Sequence, residues 1–150
     1  MANTVPNSFK VMLWKGQIAG LTDTFQIILV QPGFVFNQDS HNAYADVIAS
    51  ELATGNGYTA GGITLTGVSI AVNNTSNRAE VTFNTAQWNA SGGTLQASGA
   101  IIFNDSTDTA GGDDYTDAIV SYKDAGGTLT AVDGTPIIVS SIMETIEDQT

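Results

Sequence analysis

The chain contains no cysteine, a single histidine and only four basic residues, and these scarcities exclude more than any motif asserts. Without thiols there is no disulfide framework and no zinc–thiolate site. Lys and Arg are the side chains that grip phosphate backbones. Four of them against fifteen Asp and Glu, a formal net charge of −11, argue against a nucleic-acid partner. The same balance disfavours anionic membranes. No apolar run exceeds the four residues of Ile27 to Val30, against the roughly 20 needed to span a bilayer. The opening residues Met1-Ala2-Asn3-Thr4-Val5-Pro6-Asn7 carry no basic segment followed by an apolar one, so the expectation is synthesis in the cytoplasm.

What the chain does have is β chemistry. Its 150 residues suit one domain, and a hydrophobic content of 42% is enough to fill a core. Charged residues make up 13%, about half the usual share, so solubility rests on Asn, Thr, Ser and Gly as well as on the acidic excess. Residues 1–7 read as a flexible arm. Alternation of Phe9, Val11 and Leu13 with Lys10, Met12 and Trp14 predicts a strand over Ser8 to Lys15. Phe25 to Val30 reads as a strand buried on both faces. Tyr44, Val47, Ile48 and Leu52 fall at helical spacing, with Ser40 or Asn42 to cap the start and Gly55 to end it. That predicts one short α-helix near residues 43–53.

From Ile63 onward the pattern is strand and turn. A change of parity near Gly67 suggests a bulge or bend. Asn73-Asn74-Thr75-Ser76-Asn77, Ser91-Gly92-Gly93, Asp124-Ala125-Gly126-Gly127 and Asp133-Gly134 read as turns. Turn signals roughly every ten residues are the spacing of a sandwich or barrel. The expected fold is mainly β: a single-domain antiparallel β-sandwich, jelly-roll-like, over residues 8–150.

Few constellations suggest chemistry. Asp105, Asp108, Asp113, Asp114 and Asp117 crowd one Gly-containing loop whose oxygens suit calcium. Their spacing departs from the D-x-[DN]-x-[DN]-G pattern, and like charges this dense usually mark a solvated loop, which is the favoured reading. His41 stands beside Asp39 and Ser40, but no nucleophile motif accompanies it, and triads draw on separated segments. No catalytic residue, metal or cofactor is assigned. The candidates for an interface are Val5 and Pro6 on the arm, Tyr58 in its Gly-rich loop, and Trp88 ahead of Ser91-Gly92-Gly93.

Tyr44-Ala45-Asp46-Val47-Ile48-Ala49-Ser50-Glu51-Leu52-Ala53-Thr54-Gly55-Asn56-Gly57-Tyr58, followed by Gly61-Gly62-Ile63-Thr64-Leu65-Thr66-Gly67-Val68, resembles a group of small virion proteins of tailed bacteriophages and prophages. Phe9-Lys10-Val11-Met12-Leu13, Asn77-Arg78-Ala79-Glu80-Val81-Thr82-Phe83 and Ala97-Ser98-Gly99-Ala100-Ile101-Ile102-Phe103 are similar to the same group. The resemblance spans most of the chain and rests on structural motifs, not catalytic ones. It implies a non-enzymatic capsid decoration (cement) protein, bound to the outer surface of the major capsid protein shell as a homodimer or homotrimer. The alternative is a tail, connector or fibre-associated virion protein with a host-glycan-binding role.

Overall fold

Where apolar residues occupy both faces of a strand, that strand must lie between two layers, and Phe25 to Val30 is the clearest case. The computed structural model describes residues 1–140 and 142–147. Its strands are β1 (Ala2–Thr4), β2 (Phe25–Val30), β3 (Ile63–Thr64), β4 (Ser69–Asn73), β5 (Arg78–Thr82), β6 (Ala86–Asn89), β7 (Leu95–Asn104), β8 (Ala118–Ala131), β9 (Pro136–Val139) and β10 (Met143–Glu147). One α-helix, α1 (Asn7–Lys15), joins them. The main sheet runs β1-β8-β7-β2-β3, antiparallel throughout. The second layer comprises β10-β5-β4 and β6-β9. A bond from Phe83 N–H to the Ile142 carbonyl, 3.0 Å, carries β5–β10 pairing toward the β6–β9 pair.

Phe25, Ile27 and Leu29 enter the inter-layer core with Phe83, Ala86, Trp88, Ile137 and Val139. The rings of Phe25 and Phe83 meet edge-on at 5.3 Å, tying the two layers together. Ile28 and Val30 face the other way, onto Val47, Ile101, Phe103, Ile119 and Tyr122. That outer face is roofed by the connection from β2 to β3, which lays Phe34, Phe36 and Tyr44 across it. The expected fold class is what is found: mainly β, antiparallel and sandwich-like in one domain, with a single short α-helix.

The helix is elsewhere than the sequence suggested. Residues 8–15, expected as a strand, form α1. Phe9, Met12 and Leu13 fit a period of 3.6 as well as Phe9, Val11 and Leu13 fit a period of 2, and it is Phe9 and Met12 that are buried. Gly16, left-handed at φ 72, ends the helix, with its N–H on the Leu13 carbonyl. Residues 43–53 instead make two short 3-10 turns, Tyr44–Asp46 and Ile48–Ser50. The sheet prevents a continuous α-helix there: Ala43 bridges to Ala118 and Glu51 to Val30, pinning both ends as extended backbone. Nor do residues 2–4 form a free arm. They pair with β8, Ala2 opposite Asp124 and Thr4 opposite Tyr122, and Pro6 is buried.

The bend near Gly67 is a change of layer. β3 pairs with β2 in the main sheet and β4 with β5 in the second. Gly67 makes the switch at φ 67, where a Cβ would lie 2.5 Å from the Asn84 side chain. Residues 124–127, expected as a turn, lie within the long strand β8. Its partners jump from Gly99 opposite Asp124 to Ala97 opposite Leu129, so the surplus residues bulge out without ending the strand.

Candidate interaction surface

Of the four interface candidates, none lies on an exposed surface. Tyr58 and Trp88 are 2% and 4% exposed and pack with ring centroids 6.2 Å apart. Pro6 is buried, and Val5 is half-buried against the core. Gly-rich surroundings suggested exposure for Tyr58, but its hydroxyl has a structural task. β3 covers β2 only at Gln26 and Ile27. Beyond it the Leu29 N–H donates to the Tyr58 hydroxyl (3.2 Å), Leu52 N–H donates to the Leu29 carbonyl, and Gln31 N–H to the Ser50 carbonyl.

Glu51 organises this closure. Its carboxyl group is buried and accepts bonds from the Tyr58 hydroxyl (2.6 Å), the Gly61 N–H (2.7 Å) and the Tyr44 hydroxyl. Burial, and then the bond to Glu51, push both tyrosine hydroxyls far above their ordinary pKa. Every polar group in the cluster is consumed within it, and the adjacent hollow, lined by Pro32, Leu52, Thr54, Asn56 and Leu95 among others, holds no titratable side chain. The arrangement suits closing a sheet edge.

A second buried polar centre joins β1, β8 and β10. Lys123 and Glu144 lie 2.6 Å apart, and Glu144 also accepts from Ser121 (2.6 Å) and Asn3 (3.0 Å). Arg78 bonds Glu80 at 2.7 Å. A shallow hollow beside Met1 and Asn3 includes Arg78 and Lys123, and each of these cations already has an acidic partner.

The acidic loop does not gather its carboxylates. Asp108 accepts from Ala110 N–H, Asp113 from Asp108 N–H, and Asp114 pairs with Lys15 at 2.8 Å. That lysine holds the Asp114 carboxyl below its ordinary pKa. Burial, then the charge of Asp105, raises that of Asp117. Among the described residues, no three acidic or histidine side chains sit close enough to hold a metal ion. His41 accepts the Asn37 N–H at Nδ1 and stacks on Phe34 at 5.5 Å, while Asp39 accepts from Asn7. These are loop contacts.

Exposed apolar side chains mark two other places. On α1, Trp14 is 94% exposed, with Val11 one turn earlier on the same face. Lys10 and Lys15 flank them in sequence, with the Lys15 ammonium held by Asp114. On the second layer, β4 presents Ile70 and Val72, the latter 75% exposed, and Leu21 is exposed in the loop whose Gly20 lies against Ile70. Reading residues 8–15 as a strand hid the first surface. The second had a signal in plain view: no charged residue occurs between Glu51 and Arg78.

Comparisons with protein-family models, with curated proteins and with solved structures find no match.

Proposed function

We propose that the protein is a structural component of a tailed-phage virion, a decoration protein that binds the outer surface of the major capsid protein shell as a homo-oligomer. The observation that carries this reading is the outer face of α1. A tryptophan 94% exposed beside an exposed valine on one helix face is the kind of aromatic anchor that interfaces are built around. Such an anchor suits an apolar pocket on a partner. The antiparallel sandwich behind it, with Glu51 and the Lys123–Glu144 pair bonded within its interior, gives a rigid platform whose surfaces lose little entropy when held against a neighbour. The resemblance of the sequence to phage virion proteins supplies the setting.

The glycan-binding alternative has less support. Sugar platforms use several aromatic side chains in a row, whereas Trp88, Tyr58 and Tyr122 are buried and Tyr44 and Tyr115 half-buried. The test is co-sedimentation of the purified protein with empty capsid shells. Wild type is expected to sediment with the shells. Trp14→Ala is expected to lose that binding while keeping an unchanged circular dichroism spectrum. A protein that ignores shells but binds host polysaccharide would overturn the decoration reading in favour of a fibre-associated role.

A further inference from the structure

We infer that β4 is a self-association edge, along which two copies of this chain pair antiparallel across a two-fold axis through Ala71. The inference sharpens the homo-oligomer proposed above by naming its contact, and it can be tested on the isolated protein with no shell present.

The second layer ends at β4, so alternate residues of that strand turn N–H and C=O groups away from β5 with no ladder partner among the described residues. Four of its five residues are exposed and Asn73 is half-buried. Folded proteins usually blunt such an edge with lysine, proline, a bulge or extreme shortness. The main sheet follows this rule, ending in β1 of three residues and β3 of two. β4 has none of these devices. It is a five-residue strand, Ser69-Ile70-Ala71-Val72-Asn73, with two exposed aliphatic side chains on one face.

Charge and pattern select a second copy as the occupant. At −11, two copies repel wherever their acidic surfaces meet. β4 lies in the uncharged stretch between Glu51 and Arg78, and Arg78 and Glu80 on the neighbouring strand offset each other. Two copies can therefore approach along this edge without like-charge contact. The strand is also self-complementary. An axis through Ala71 pairs all five residues, placing Ile70 opposite Val72 of the other copy, Val72 opposite Ile70, and Ser69 opposite Asn73. Exposed Leu21 follows Gly20, whose backbone lies against Ile70, and adds apolar surface to that loop. The contact is small, below the roughly 1,200 Å² of stable complexes, so the association is expected to be reversible and concentration-dependent.

The absence of cysteine makes the test specific, because any disulfide in a single-cysteine variant must join two chains. Directly opposed residues of an antiparallel pair have Cα atoms about 4.5–5.5 Å apart, within disulfide reach. A71C is therefore expected to form a covalent dimer under mild oxidation much faster than V132C, an exposed control outside β4. Sedimentation of wild type over about 1–500 µM is expected to show a monomer–dimer equilibrium. V72K, at a mostly exposed position that leaves the fold intact, is expected to remain monomeric over the same range. Wild type that stays monomeric throughout, A71C that cross-links no faster than V132C, or V72K that associates like wild type would each overturn the inference. None of these outcomes bears on shell binding, which the Trp14→Ala experiment reads separately.

Discussion

Replacing Tyr58 with phenylalanine removes one oxygen atom and leaves the ring in place, so it isolates what the hydroxyl does for the edge of β2. The hydroxyl donates to Glu51 at 2.6 Å and accepts the Leu29 N–H at 3.2 Å in a site that is 2% exposed. Losing a hydrogen bond to a charged partner costs about 1.5–3 kcal/mol, and a buried N–H left without an acceptor costs about 1–3 kcal/mol. The two losses overlap because they share one oxygen, so a destabilisation of about 2–4 kcal/mol is expected. For a chain of this size that lowers Tm by roughly 5–15 °C. Urea unfolding followed by tryptophan fluorescence is the assay, since Trp88 packs against the Tyr58 ring. Tyr44→Phe, at a half-buried ring that donates to Glu51 alone, is the comparison and is expected to lose less. A Tyr58→Phe change below about 0.5 kcal/mol, within the range of ordinary surface substitutions, would refute the edge-closure role.

The same hydroxyls set a dependence on alkaline pH. Burial raises the pKa of Tyr44, Tyr58 and Tyr122 above the ordinary value, so the folded protein keeps protons that the unfolded chain releases. Stability from these groups is full below the ordinary tyrosine pKa of about 10 and declines as pH rises beyond it. Urea midpoints taken on either side of that value are expected to show the decline, and Tyr58→Phe is expected to make it shallower. At the other buried centre, Lys123→Met strips the cation from Glu144 and is expected to cost about 3–5 kcal/mol. The double change Lys123→Met, Glu144→Leu is expected to recover part of that loss; a double variant no more stable than the single one would rule out an uncompensated buried carboxylate as the cause.

The fold class was legible because sheet burial writes itself into sequence as runs and alternations. Phe25 to Val30 is apolar at both parities, and both of its faces are covered. Gly67 announced its bend through a change of parity. The helix was misplaced because Phe9, Met12 and Leu13 and Phe9, Val11 and Leu13 are equally apolar sets, and nine residues are too few to separate the two periods. Residues 43–53 had genuine helical spacing, yet backbone bonds at Asn42 and Tyr44 and at Ser50 and Leu52 tie both ends to the sheet and overrode it, and a long-range constraint leaves no trace in local periodicity. The interface candidates failed for a related reason. Glycine neighbours suggested that Tyr58 was exposed, whereas Gly61 provides an N–H to the very carboxyl group that holds the Tyr58 hydroxyl in the core.

The layer change at Gly67 also shapes how the molecule bears force. One short stretch of backbone runs from β3, hydrogen-bonded into the main sheet, to β4 at the rim of the second layer. Tension applied at that rim therefore passes along covalent bonds to β3, the edge strand of the main sheet, and loads its two-residue pairing with β2.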